Sequence, residues 1–292
     1  MFVDQRRRLI KAKYPRLWNL LRSLRHLVGS NKFGHFICTQ KFMTAWTGPI
    51  YQRNCYQIEL DITYACNLKC FGCDRCCGLA PSDDCLSLEQ IQKFIGESTA
   101  RDVPWKTIKV VGGEPTLHPQ FLLIIEELLN FKAVQSFDVT IELYSNGCGK
   151  KVNDMLARVG PDVVVFNSAK NSHEQVFQPT NLAPSDSIWY RYADFSCGCW
   201  ITRDCGMCLS PYGYYHCAQA AAIDRVFGFN IGRKSLPGLA DPMRDEMAAL
   251  CRYCGFFRFY CPIMLDKELI SRSWHQAFTN YNVSKPLMNF YR

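Results

Sequence analysis

Two groups of cysteines carry the chemistry open to this sequence. In Cys66-Asn67-Leu68-Lys69-Cys70-Phe71-Gly72-Cys73, three thiols sit on one short stretch. A structural zinc site wants four protein ligands, and its cysteine pairs commonly use shorter gaps than the three residues between Cys66 and Cys70. A 4Fe–4S cluster held by three thiolates leaves one iron free to bind a small chelating molecule. Beyond residue 190 come Cys197, Cys199, Cys205, Cys208, Cys217, Cys251, Cys254 and Cys261. Cys251-Arg252-Tyr253-Cys254 is a tight CxxC pair, and Pro211-Tyr212-Gly213-Tyr214-Tyr215-His216-Cys217 reads as a hairpin ending in a thiol. Four thiolates drawn from this set suit either a second iron–sulfur cluster or a zinc ribbon. Cys38, Cys55, Cys85 and Cys148 have no ligand spacing and read as small packed or surface residues, and Cys76 and Cys77 lie just past the first loop.

Such loops need elements to hold them. From Gln57 onward, strand-like and helix-like segments alternate: strands over 57–63, 107–111, 139–144 and 163–166, helices over 86–97, 120–130 and 152–159. Ile108-Lys109-Val110-Val111 and Val163-Val164-Val165-Phe166 are short, β-branched and nearly continuous in apolar character, as strands covered by helices on a parallel sheet should be. Polar or glycine-rich stretches follow the strand ends, at Gly112-Gly113-Glu114-Pro115, Ser145-Asn146-Gly147 and Asn167-Ser168, on the edge where barrels of this kind gather their chemistry. After about residue 190 the alternation fades. The expected organisation is a basic helical segment over 1–50, a barrel core over 51–190 and a cysteine-rich extension over 191–292.

In this setting the first loop resembles that of the radical S-adenosylmethionine (radical SAM) enzymes: three cysteines, separated by three and then two residues, after the first strand of a partial (β/α)6 barrel. The resemblance implies that Cys66, Cys70 and Cys73 hold a 4Fe–4S cluster whose open iron binds SAM, which is then cleaved to a 5′-deoxyadenosyl radical. Val111-Gly112-Gly113-Glu114-Pro115 looks like the family's GGEP motif, with the glycines letting backbone approach the methionine moiety and Glu114 accepting hydrogen bonds from its ammonium. By position, Ser145, Asn146, Asn167 and Ser168 would contact the nucleoside and the methionine carboxylate. The family usually carries a bulky residue just before the third cysteine. Here that residue is Gly72, with Phe71 one place early, so the adenine contact is expected elsewhere.

The second group is similar to the twitch and SPASM extensions of the same family, which hold an auxiliary 4Fe–4S cluster. The likeness implies Cys217, Cys251 and Cys254 as ligands, with Cys205 completing the set and Cys199 and Cys208 behind it. A single-cluster, twitch-like extension is preferred because only one compact CxxC follows the hairpin. Cys261 is then left over, as a ligand, a packed thiol or a hydrogen-atom donor. The cofactor performs the radical chemistry, so the motifs speak to cofactor more than to substrate. Size and cysteine layout resemble radical SAM enzymes acting on small polar molecules such as sugars and aminocyclitols, with an electron donor such as flavodoxin or ferredoxin. The spare cysteine favours epimerisation at carbon over alcohol dehydrogenation. A ribosomal-peptide maturase and a non-catalytic iron–sulfur or zinc scaffold are the alternatives.

Charge is placed unevenly. The 292 residues carry 34 Lys+Arg and 26 Asp+Glu, a net +8. Residues 1–33 hold nine of the bases and one acid, so the other 25 bases and 25 acids cancel. Leu17, Leu20, Leu21, Leu24, Leu27 and Val28 recur at helical spacing opposite the arginines, an amphipathic basic helix that packs on the body or meets an acidic partner or anionic lipid. With no extended basic track outside it, nucleic acid is an unexpected partner. No apolar run reaches the roughly 20 residues of a membrane span, and the basic start has no signal-peptide core, so the expected location is cytoplasmic with reduced thiols.

Overall fold

The computed structural model describes residues 32–135, 138–170, 180–258 and 269–292. Residues 1–28 and Cys261 therefore lie outside the described residues. After two short helices, α1 (Lys32–Cys38) and α2 (Lys41–Thr47), the chain runs β1 (Gln57–Thr63), α3 (Leu88–Ala100), β2 (Thr107–Gly112), α4 (Phe121–Val134), β3 (Thr140–Ser145), α5 (Lys150–Leu156) and β4 (Val163–Asn167). Helix α3 starts where Ser87 and Gln90 form a reciprocal capping box, which satisfies backbone donors that a helix start otherwise leaves orphaned. Along β1 the residues alternate. Ile58, Leu60 and Ile62 are fully buried and, with Ile108, Val110, Ile141 and Leu143, pack against Ile91 and Phe94 of α3 and Phe121, Ile124 and Leu128 of α4. Each such side chain contributes about 1.5–3 kcal/mol on burial, so this face fixes the register of the sheet.

The sheet is six-stranded in the order β4-β3-β2-β1-β5-β6. Strands β1 to β4 are parallel neighbours in chain order, the βα succession expected of a partial barrel of the TIM type. The last two strands differ from a simple continuation of that succession. They form a hairpin, β5 (Met207–Ser210) and β6 (Gly213–Tyr215), and β5 lies parallel to the free edge of β1 rather than beyond β4. A strand of the cysteine-rich segment is therefore a strand of the main sheet.

Behind the hairpin stands a second core. Helix α7 (Ala218–Phe227) is buried on nearly all sides, and its alanines let α8 (Arg244–Leu250) and α9 (Arg272–Val283) approach closely through Met247, Leu250, Trp274 and Phe278. Arg225 of α7 is 1% exposed, and its charge is handled locally. It donates to the carbonyls of Ala80 and Arg75 and to the Tyr281 hydroxyl, and lies 4.3 Å over the Tyr64 ring. Since 75–80 is the chain that follows the first cysteine loop, Arg225 anchors that loop to the second core.

Candidate functional site

The loops that follow β1, β2, β3 and β4 meet at one edge of the sheet and are bonded to one another. Gly113 and Glu114 donate their N–H groups to the carbonyls of Thr63 (2.7 Å) and Ala65 (2.9 Å). A Cβ on Gly112 or Gly113 would stand 2.3 or 2.4 Å from those oxygens, so both glycines are needed for the crossing of β2 over the end of β1. In this structure their close approach is to the chain itself. The Glu114 carboxylate is completely buried. One oxygen accepts from the Thr116 hydroxyl (2.7 Å), the Thr116 N–H (3.3 Å) and the Ser145 hydroxyl (2.9 Å); the other accepts from the Asn146 N–H (2.8 Å). Glu114 thus ties the loop after β2 to the loop after β3. Pro115 is buried at the start of the short 3-10 turn that follows Glu114.

Asn67, inside the cysteine loop, makes the next link. Its oxygen accepts from the Asn146 amide (2.8 Å), and its own amide donates to the Cys148 carbonyl (2.7 Å). Ser168 donates its backbone N–H and hydroxyl to the Ser145 carbonyl, Asn167 accepts from the Ala169 N–H, and Lys170 donates to the Asn146 carbonyl. The Lys170 ammonium reaches 3.9 Å from the Cys70 sulfur. The structure therefore brings Cys66, Cys70, Cys73, Glu114, Ser145, Asn146, Asn167 and Ser168 to one edge. Asn67 and Lys170 belong there too; the one signal for Asn67 was its place between Cys66 and Cys70.

The thiols themselves suit a thiolate-binding metal group. Burial pushes the Cys66 thiol up to about 11, with the neighbouring Cys73, Cys70 and Glu114 adding to the rise. Cys73 is held below its ordinary value by a hydrogen bond with Cys77, against burial that raises it. Three thiols crowded beside a carboxylate form a soft donor set of the kind a thiolate-bound metal group uses once the thiols have lost their protons. Cys76 faces elsewhere, its sulfur 3.7 Å from the Asn181 side-chain oxygen.

Opposite the helix-covered face, the sheet carries charge. The register sets Glu59 beside Lys109 and Lys109 beside Glu142 on adjacent strands, with Cys208 on the other side of Glu59. Lys109 pairs with Glu59 at 3.9 Å. Arg75, from the chain after the cysteine loop, pairs with Glu59, Asp61 (3.2 Å) and Asp74 (2.5 Å). Asp61 is fully buried, one of its oxygens has no hydrogen-bond partner, and burial lifts it to about 6 despite Arg75. Tyr144 donates to Glu142 (2.9 Å) and stacks on Phe166, both rings partly open to solvent. Sequence reasoning missed this set.

A second thiol group lies in the helical core. Cys199, Cys217, Cys251 and Cys254, all under 8% exposed, line one small enclosed pocket with Ile201, Thr202, His216 and Gln219. Of the upstream candidates, Cys199 lines this pocket with Cys217, Cys251 and Cys254; Cys205, the one expected first, packs against the same core without lining the pocket. Cys205 ends α6 (Trp200–Asp204) just before the chain turns into β5, which carries it to the charged face of the sheet. There its carbonyl accepts from Lys109, and its thiol is raised by burial and by Glu59. Cys208, on β5, also faces the charged side beside Asp61. Burial raises all four thiols, that of Cys199 to about 12; neighbouring thiols add to the rise at Cys199, Cys217 and Cys254, and Glu246 adds to it at Cys251. The Thr202 hydroxyl and the Gln219 side-chain oxygen, both facing this pocket, are buried without partners. Four clustered thiols beside orphaned polar atoms fit a thiolate-bound metal group better than a plain core. Among the described residues no three ligand side chains converge tightly enough to hold a single ion.

No family model matches the chain. Over 97 residues, 32% of this chain and 28% of the relative, it is 31% identical to a GTP 3',8-cyclase of Mannheimia succiniciproducens. Over 143 residues, 48% of this chain and 42% of the relative, it is 27% identical to a GTP 3',8-cyclase of Desulforamulus reducens. The chain thus spans less than half the length of these curated relatives. A solved structure described as BtrN in complex with AdoMet and 2-DOIA covers 70% of this chain and 94% of its own, at 10% identity and a TM-score of 0.41. With a three-cysteine loop after β1, a GGEP turn after β2 and polar loops after β3 and β4 bonded together at one edge of the sheet, the chain resembles the radical SAM enzymes.

Proposed function

We propose that this protein is a radical SAM enzyme that abstracts hydrogen from a small, polar, amine-bearing molecule. The observation that supports the substrate class is the charged face below the cysteine loop: Glu59, Asp61, Asp74 and Glu142 against Lys109 and Arg75, four acids to two bases on one side of the sheet. An excess of carboxylates favours a cationic ligand, and paired acids and bases offer hydrogen bonds to hydroxyls. The name GTP 3',8-cyclase points to a nucleotide instead, and four phosphate-repelling carboxylates speak against that for this chain.

Cys66, Cys70 and Cys73 would hold the 4Fe–4S cluster, and Glu114, Ser145, Asn146, Asn167 and Ser168 would shape the SAM pocket. When bound, the cluster and SAM supply one electron and a 5′-deoxyadenosyl radical. Glu114 keeps Ser145 and Asn146 in place, and Asn67 couples their positions to the cysteine loop. We take Asp61, whose Oδ2 is buried and has no hydrogen-bond partner, as the proton acceptor for a substrate hydroxyl. Cys199, Cys217, Cys251 and Cys254 would hold an auxiliary cluster, which supplies an electron acceptor.

That pairing of proton acceptor and electron acceptor favours oxidation of an alcohol. The four-thiol pocket is the observation behind it; epimerisation, the other reading, rests on Cys261 as donor. The test is to incubate the reduced, anaerobically reconstituted protein with SAM and a set of amine-bearing and amine-free polyols in deuterated water. A ketone product, 5′-deoxyadenosine in proportion to it and preference for the amines support the proposal. An epimer carrying one solvent deuterium selects epimerisation. No 5′-deoxyadenosine would leave a scaffold, and a small acidic electron donor such as flavodoxin or ferredoxin is expected to support turnover.

A further inference from the structure

At the edge of the sheet opposite the cysteine loops, where the parallel strands β1, β2 and β5 begin, lies a cavity of about 660 Å³. Its charged lining is mostly basic: Arg53, Arg203 and Arg244 stand against one carboxylate, Asp241, with the Tyr51 and Tyr56 rings beside them. The walls are tied together. Asn54 donates its N–H to the Thr202 carbonyl (3.1 Å) and its side-chain amide to the Arg203 carbonyl (3.0 Å). The Arg203 guanidinium lies 5.7 Å over the Tyr51 ring, and Arg53 donates to the Gly238 carbonyl (2.6 Å) across the cavity wall.

Arg53 is the member that a purely structural role leaves unexplained. It is 8% exposed, and its Nε is buried without a partner. The carboxylates near enough to act on it are committed elsewhere, Asp241 to Arg233 (2.9 Å) and Glu246 to His216 (2.7 Å). A guanidinium stays charged at any ordinary pH, and a buried charge without a counter-charge is costly. Arg203 pairs with Asp204 (2.6 Å), whereas Arg244, like Arg53, enters no ion pair among the described residues. Two uncompensated guanidiniums on one cavity match a dianion. A phosphate monoester carries close to two negative charges near neutral pH, and its oxygens fit the guanidinium fork. The volume lies within the roughly 300–1,000 Å³ that small organic ligands fill, more room than a bare ion needs.

We propose that this cavity binds a small phosphate monoester, a second ligand separate from SAM and from the substrate. Arg53 and Arg244 hold its phosphate, and Tyr51 and Tyr56 flank its carbon skeleton. The site shares no residue with the cysteine loops or with the charged face, whose carboxylates would repel such a ligand.

The test is calorimetric titration of the iron-loaded, full-length protein at constant ionic strength. Glucose 6-phosphate and glycerol 3-phosphate are the probes, with glucose, glycerol and inorganic phosphate as controls. At least one ester should bind with one site per chain and raise Tm as its concentration rises, while the uncharged parents do neither. Arg53→Gln should weaken that binding at least tenfold and leave iron content and SAM affinity unchanged. Should Arg53→Gln fail to fold, the paired change of Arg203→Ala with Arg244→Ala decides, since both side chains are exposed at the rim and the same loss is expected. Binding of neither ester overturns the proposal, as does binding of inorganic phosphate alone, which would mark an adventitious ion only. Affinity unchanged in the rim variant places the site elsewhere and overturns it too. Displacement of the ester by SAM does the same by placing it at the cysteine loops. None of these readouts requires SAM cleavage, so they stand whether or not the proposed oxidation does.

Discussion

Glu114→Gln separates two roles that the motif alone runs together. In the family resemblance Glu114 accepts hydrogen bonds from the SAM ammonium. In the structure its carboxylate already accepts four, from Thr116 twice, Ser145 and Asn146, with no exposure to solvent. A glutamine keeps the shape and loses the charge. A hydrogen bond to an ionised acceptor contributes about 1.5–3 kcal/mol and a neutral one about 0.5–1.5. With three of the four bonds shorter than 3 Å, the difference of about 1 kcal/mol each gives roughly 3 kcal/mol. For a domain of this size that corresponds to a fall in Tm of about 6–12 °C. The assay is an anaerobic thermal melt of the iron-loaded protein, alongside calorimetric titration with SAM at a temperature where the variant is folded. Both a lower Tm and weaker SAM binding are expected, with iron content unchanged. A melt within about 2 °C of wild type would refute the scaffold role. Unchanged SAM affinity would refute the GGEP assignment.

The two thiol assignments are distinguished by iron analysis: Cys199→Ala should lose about four irons and Cys205→Ala none, with the reverse result restoring Cys205 as the ligand. Asp61, lifted by burial from 3.8 to about 6, binds a proton in the folded state that the unfolded chain releases, so its contribution to stability is greatest below pH 4 and is lost as pH rises through 6. Asp61→Asn should cancel that slope, on the order of 3 kcal/mol between pH 4 and 7 in urea titrations, and a wild-type slope retained in the variant would show that Asp61 ionises normally. Deleting residues 1–28 should leave both clusters and SAM cleavage intact, and any binding to anionic vesicles should fall with the deletion and weaken with salt; loss of folding would instead show that the segment packs on the body. Cys261→Ala should leave alcohol oxidation unchanged, whereas abolished turnover with one round of SAM cleavage would identify it as a hydrogen-atom donor.

The parallel strands and the first thiol loop were legible because local rules govern both. β1 occupies the expected residues, and the other strand boundaries differ by a residue or so, with β-branched runs, caps and glycine turns all pointing the same way. The choice between Cys199 and Cys205 was not legible. Position in the family resemblance put Cys205 first; the turn after α6 takes Cys205 towards the sheet, while Cys199 lines the pocket with Cys251. The pairing of β5 with β1 was hidden for the same reason: strand order is a tertiary fact, and a hairpin rich in tyrosine reads the same wherever it docks.

The charged face was legible in principle. Ile108-Lys109-Val110 and Ile141-Glu142-Leu143-Tyr144 alternate, as do Ile58-Glu59-Leu60-Asp61-Ile62, while strands of a sheet covered on both sides should be apolar on both. Reading Ile108–Val111 as a nearly continuous apolar run overlooked that in these strands the polar residue recurs at every second position, which places all of them on one face. A strand cannot hold Glu59 and Asp61 next to each other on a buried face unless cations meet them, and Lys109 and Arg75 do. Even so, four carboxylates outnumber two cations, and one Asp61 oxygen remains unpartnered. Structural ion pairing alone does not require that excess. A ligand that brings its own positive charge to the face would balance it, which is why the alternation in these three strands says more about the substrate than either cysteine motif does.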